Sequence, residues 1–292
     1  MRYFGLALGA LIMLGAGCRG GGHPLTARPE DPTAIFGSTD ASSTEYRPDP
    51  ADSTSPTGIA CNHEYYPLRL GYHIQYQTTY PPSRGTTGSG LNAIAVRSLA
   101  SDRVQLQNVV DSGDGIRSYF DFGYICRGGS LMATGYVEAG SFLPGELGRR
   151  RSKVQTDSSS GEFLPVHISP GNTWASEFNV KISPAEGSAP DKFGSDAPIR
   201  VPVKIVRIAI GVERVTVPAG TFEAMKIKTS TSFNGVPAMH GTEWWVKEVG
   251  MVKATYDAGS GTEDVVTVAR GVTVPGFIDI PSADATSSSS RP

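Results

Sequence analysis

The chain has 292 residues, enough for one large domain or two small ones, so length alone decides little. Its 35 glycines and 21 prolines make up nearly a fifth of the sequence and charged residues only 18%, a balance that suits a turn-rich β protein with disordered flanks better than a helical bundle. A net charge of −2 supplies no broad basic field, so no nucleic-acid partner is expected.

Met1-Arg2 gives a short positive start, and Tyr3 to Met13 is an uncharged, mostly apolar run. A bilayer span needs ~20 apolar residues, so this run reads as the core of a signal peptide, followed by the small residues Gly15-Ala16-Gly17. The segment Leu14-Gly15-Ala16-Gly17-Cys18 resembles the bacterial lipobox, whose cysteine is acylated and becomes the new N-terminus. Leu14 stands one place earlier than the lipobox aliphatic residue, with Gly15 in its slot. The resemblance implies cleavage before Cys18 and a membrane anchor through lipid on Cys18; an ordinary secretory signal with an incidental cysteine is the alternative. Residues 1–17 are thus assigned as a lipoprotein signal peptide.

Residues 18–58 are rich in Gly, Pro, Ser, Thr and Asp and show neither helical nor strand period, so they read as a lipidated, disordered linker. Residues 275–292, with Ser287 to Ser290 in a row, read as a disordered tail. Between them, 59–274 is expected to form one antiparallel β domain. Tyr72, Ile74, Tyr76, Thr78 and Tyr80 alternate with His73, Gln75, Gln77 and Thr79, the pattern of a strand with one buried and one wetter face. Further strands are expected at 92–96, 103–109, 116–122, 131–137, 174–182, 199–205, 224–233, 242–246, 251–256 and 264–272. Pro202, inside one of them, suggests an edge strand or a bulge. Turn clusters such as Ser112-Gly113-Asp114-Gly115, Pro170-Gly171-Asn172 and Pro218-Ala219-Gly220 separate the strands. No stretch of 12 or more residues keeps a clean 3.6 period, so helix is expected to be minor.

Cys61 and Cys126 remain once Cys18 is acylated. In an oxidising compartment a disulfide between them is the expected arrangement, with two free buried thiols as the alternative.

Tyr65-Tyr66-Pro67-Leu68-Arg69-Leu70-Gly71, Pro170-Gly171-Asn172-Thr173-Trp174, Val215-Thr216-Val217-Pro218-Ala219-Gly220-Thr221-Phe222-Glu223 and Glu243-Trp244-Trp245 leading to Val249-Gly250-Met251-Val252-Lys253 resemble a family of poorly characterised bacterial secreted proteins and lipoproteins. The resemblance implies a single curved antiparallel sheet, similar to the half-barrels of lipoprotein carriers. It brings no catalytic residue. Tyr72-His73-Ile74 stands where members usually carry a tryptophan.

Chemistry-bearing motifs are scarce. His63-Glu64 looks like half of a zinc motif, but Pro67 occupies the place of the second histidine, so no metal is expected. There is no nucleophile elbow, P-loop or dinucleotide fingerprint, and pairs such as Glu243 with Glu248 are common in any chain with 28 acidic residues. Neither catalysis nor a cofactor is expected. Adjacent residues on a strand point to opposite faces, so Trp244 and Trp245 divide between the core and the other side of the sheet. With Tyr72, Tyr76, Tyr80 and Trp174 they form the candidate aromatic surface for an apolar or lipid ligand. The expected function is an exported, membrane-anchored lipoprotein, on the periplasmic face of the outer membrane or outside it. It would bind a hydrophobic or amphipathic ligand or assist envelope assembly, with no catalytic step. A structural or protein-interaction module of the envelope is the first rival and a hydrolase with a spatially assembled site the second.

Overall fold

The computed structural model describes residues 61–79, 89–111, 117–136, 153–183, 198–257, 263–274 and 278–280. Cys18, Tyr80 and the expected linker up to Gly58 lie outside the described residues.

The alternating segments are strands: β1 (Asn62–His63), β2 (Tyr66–Pro67), β3 (His73–Thr79), β4 (Ser89–Leu99), β5 (Arg103–Asp111), β6 (Arg117–Arg127), β7 (Ser130–Ala133), β8 (Lys153–Gly161), β9 (Thr173–Ser183), β10 (Ile199–Val217), β11 (Gly220–Phe233), β12 (Val236–Val246), β13 (Gly250–Asp257), β14 (Glu263–Val274) and β15 (Ile278–Ile280). The minor helical component expected from the sequence does not occur among the described residues. The sheet also continues past Val274, the expected end of the domain, because β15 pairs with the end of β14.

Strands β3 to β15 form one antiparallel sheet in the order β7-β6-β5-β4-β3-β14-β13-β12-β11-β10-β9-β8, with β15 off this path. It consists of two meanders, β3 to β7 and β8 to β14, joined where β14 pairs with β3. The free edges meet in a second, much thinner seam. There Leu131 after the start of β7 bridges Leu164: its N–H donates to Leu164 O at 2.8 Å, and its carbonyl accepts from Phe163 N–H at 2.7 Å. The sheet is therefore a nearly closed half-barrel, and closure shields most of the strand edge.

Alternation sets the faces. Ile74, Tyr76 and Thr78 on β3 are buried, whereas His73, Gln75 and Gln77 are half-buried on the other side. On β10, Val201, Val203, Ile205, Arg207 and Ala209 point inward and are buried, while Arg200, Lys204, Ile208 and Ile210 are exposed. Pro202 is in an internal strand and not in a bulge, but it lies one residue beyond the β10–β11 ladder. It pairs with Asn179 of β9, and its carbonyl accepts Asn234 N–H from the turn where β11 has already ended. In a strand the N–H and C=O of one residue point the same way, so the missing N–H faces a side where no β11 partner remains.

The β10–β11 hairpin outreaches its neighbours. Strand β9 pairs with β10 only as far as Ile208, and β12 pairs with β11 only from Met225, which makes 212–224 a two-stranded arm. Its tip reaches across to β14, where Ala219 N–H donates to Ala269 O at 3.0 Å. Val215, Val217 and Ala219 are buried in this contact region, so the arm packs on the sheet instead of projecting into water.

The β1–β2 hairpin is secured at the same end of the half-barrel. Cys61 and Cys126 form a disulfide with Cα atoms 4.9 Å apart, tying the hairpin to the end of β6. Glu248 N–H donates to Glu64 O at 2.7 Å, and Lys247 pairs with the Glu64 carboxylate at 2.9 Å.

Candidate functional site

The interior divides into a filled part and a partly open part. The filled part is built on aromatic rings. Tyr66, carried inward by the β1–β2 hairpin, meets Tyr72, Tyr124 and Trp245 edge to face at 5.6–5.9 Å. Phe163 stacks on Tyr124 at 4.8 Å and meets Trp245 edge-on at 5.8 Å. Such offset and T-shaped pairs add about 0.5–1.5 kcal/mol each beyond the area they bury.

The polar ends of these rings are satisfied within the protein. Tyr72 Oη donates to Val249 O at 3.0 Å, Tyr76 Oη to Met251 O at 2.8 Å and Trp174 Nε1 to Phe163 O at 2.9 Å. Burial pushes the hydroxyls of Tyr66, Tyr72, Tyr76 and Tyr256 well up from the usual tyrosine range, which keeps them neutral donors. Gly250 leaves room for the first of these bonds: a Cβ there would stand 2.6 Å from Tyr72 Oη, and its φ of 113° lies where side chains are strained.

A buried charge pair lies among the rings. Arg207 and Glu243, whose side chains are 1% and 5% exposed, face each other with Nε 3.7 Å from Oε2. Glu243 also accepts from Trp245 Nε1 at 2.9 Å and from Tyr256 Oη at 3.3 Å. The Arg207 guanidinium lies 4.9 Å from the centre of the Phe163 ring and reaches Ser176 Oγ at 3.5 Å. Ser176 Oγ donates instead to Glu162 O at 2.8 Å, so its hydroxyl proton is directed at a carbonyl and not at a base. Glu248, the other half of the carboxylate pair noted in the sequence, lies apart from this cluster and faces Arg69 at 3.6 Å.

Trp244 and Trp245 divide between faces as strand geometry requires. Trp245 joins the aromatic interior; Trp244 lies on the other side, between Lys226 and Lys253, whose Nζ atoms are 5.6 and 4.6 Å from its ring centre. Its Nε1 donates to Glu213 Oε1 at 2.6 Å, and this bond, with the nearby Lys226, holds the Glu213 carboxyl below its usual range. The arm thereby covers Trp244, which is 7% exposed. All five described aromatic candidates, Tyr72, Tyr76, Trp174, Trp244 and Trp245, are buried. They form packing instead of one open surface.

The inward positions of β4 and β5 differ. Asn92 lies opposite Tyr76, Ile94 opposite Ile74, and Asn108 opposite Ile94, which places all three on the interior face. Asn92, Ile94, Asn108 and Val110 are nevertheless only half-buried. The Oδ1 atoms of Asn92 and Asn108 are buried with no hydrogen-bond partner. Leaving a buried acceptor unpaired costs about 1–3 kcal/mol. Sequence reasoning missed both asparagines; the available signal was a polar residue at an inward position of an otherwise apolar alternation.

His63 is part of the hairpin's attachment. Its Nδ1 accepts Tyr65 N–H at 3.1 Å, which puts the ring proton on Nε2, facing Pro165 O at 2.8 Å. Burial lowers its pKa and outweighs the opposing pull of the Pro165 carbonyl and Glu64. Among the described residues no group of three or more His, Cys, Asp or Glu side chains is placed to hold a metal ion.

Comparison with known proteins follows the same lines. Residues 199–261, which run from the start of β10 to just past the end of β13, match the DUF3108-like family. No protein of curated function matches the chain significantly. One similar solved structure, described provisionally as a lipoprotein of Parabacteroides distasonis, is 18% identical, with a TM-score of 0.50 over 73% of this chain and 99% of that one. Another, described provisionally as an exported protein with a YmcC-like fold from Bacteroides fragilis, is 13% identical, with a TM-score of 0.49 over 73% of this chain and 100% of that one. The shared fold agrees with the curved antiparallel sheet implied by the resemblance read from the sequence.

Proposed function

We propose that the chain is an exported lipoprotein, anchored through lipid on Cys18, whose half-barrel binds an amphipathic ligand without transforming it. The anchored, exported character is supported by the signal-like run before Cys18 and by the descriptions of the two structural relatives. The observation that carries ligand binding is the half-buried inner wall of Asn92, Ile94, Asn108 and Val110, where apolar side chains stand beside amides whose carbonyl oxygens have no partner. An apolar group with an attached N–H or O–H donor matches that wall. The site is thus moved from the aromatic face, which is occupied by its own packing, to β4 and β5.

The test is native mass spectrometry of the full-length protein incubated with a bacterial lipid extract. The expected result is a bound adduct in the wild type that is lost in Asn92→Leu/Asn108→Leu. Replacing unpaired buried acceptors by apolar groups of similar shape also raises stability, by about 1 kcal/mol or more in total. An adduct retained by this variant, or absent from the wild type, contradicts the proposal.

The aromatic filling favours a second reading, a structural or protein-interaction module that assists envelope assembly. Its signature is a wild type with no adduct that co-purifies with an envelope protein.

A further inference from the structure

Strand direction sorts the half-barrel into two ends. One end holds Cys61 and its disulfide, the β12–β13 turn bonded to Glu64, the segment 162–172 and the root of the arm. These parts are contiguous: His63 reaches Pro165 O, while Gly171 N–H donates to Ala209 O and Ala209 N–H to Asn172 O. The sixty residues that include Cys18 join the described fold here, at Cys61. At this same end Val166, Ile208, Ile210 and Val212 are 41, 40, 46 and 60% exposed, the last three on β10 around the register shift between Ala209 and Gly211. Exposed Lys228 stands beside Ile208 in the β10–β11 register. The other two large exposed aliphatics, Ile199 and Val236, lie at the opposite end.

We infer that this end is a membrane-facing rim, on which Val166, Ile208, Ile210 and Val212 insert among phospholipid head groups while Lys228 meets their phosphates. The inference rests on the anchoring reading above for its biological setting. Four partly exposed aliphatic side chains give weak binding by themselves, measurable at millimolar lipid. A lipid on Cys18 makes the contact intramolecular, so a weak surface is enough to orient the domain. The half-open wall of β4 and β5 then stands on a barrel whose orientation to the bilayer is fixed.

The test uses the full chain carrying Cys18→Ser, so that its outcome does not depend on lipidation, which is checked separately by labelling Cys18 with a fatty-acid analogue. Binding is read by co-sedimentation with vesicles of phosphatidylethanolamine and phosphatidylglycerol. The expected result is measurable binding that falls about threefold or more in Ile210→Asp/Val212→Asp, and is unchanged in the opposite-end control Ile199→Asp/Val236→Asp. Ile210→Ser/Val212→Ser is measured in parallel and keeps the test valid if the charged pair lowers the melting temperature. Absence of vesicle binding, or equal loss in the control, overturns the inference.

Discussion

Glu243 ties several parts of the interior together: one carboxylate receives Trp245, Tyr256 and the charge of Arg207. Removing one partner of a buried pair leaves the other charge unpaired, which costs about 3–5 kcal/mol, whereas removing both is often neutral. Glu243→Leu is therefore expected to lose stability by that amount in urea unfolding, and Arg207→Met/Glu243→Leu to recover most of it. A double variant as unstable as the single one would show that the pair does more than neutralise itself. From sequence, Glu243 was visible as the residue before two tryptophans and as one of a carboxylate pair with Glu248, and Arg207, just past the expected strand 199–205, carried no signal. Their pairing depends on β10 and β12 flanking β11 in one sheet, with both side chains on its inner face, which no local pattern encodes. Cys61 and Cys126 were legible for the opposite reason, because in an exported chain the number of remaining thiols limits the choices.

Among the elements, the strands that separate a buried from a wet face were legible, and those lacking that contrast were not. Strand β3 reads directly from Ile74, Tyr76 and Thr78 against His73, Gln75 and Gln77. Strand β8, with Thr156-Asp157-Ser158-Ser159-Ser160 along the seam edge, has few apolar positions to reveal it. The second half of β10 was hidden because 212–217 belongs to the arm, whose burial depends on β14 at a distance of some fifty residues in sequence. The β1–β2 hairpin has so few ladder bonds of its own that it depends on its attachments: the disulfide, His63 with Pro165, and Glu64 with Lys247 and Glu248. The disulfide closes a sequence separation of 65 residues, so Cys61→Ala/Cys126→Ala is expected to cost about 2–4 kcal/mol in reversible unfolding. The effect should appear first as loss of hydrogen-exchange protection at 61–72 while β10 to β13 stay protected. Uniform loss across the sheet would mean that the hairpin is integral to the barrel and not an attached plug.

At the scale of the whole molecule, two meanders share one ladder at β3–β14 and close, among the described residues, through a bridge at Leu131–Leu164. Alternation and turn chemistry in the sequence point to such a meandering sheet, but the way its interior is divided is a tertiary property. One part is packed with rings around Arg207 and Glu243; the other, along β4 and β5, leaves Asn92, Ile94, Asn108 and Val110 half-buried. Ligand binding by this protein stands or falls on that open wall. The most direct measurement is photo-crosslinking in the producing bacterium, with a benzophenone amino acid placed at Val110 on the inner wall or at Val206 on the outer face. The account predicts a small amphipathic adduct on the protein labelled at Val110 and none from Val206. No adduct at Val110, or equal adducts at both positions, would contradict it.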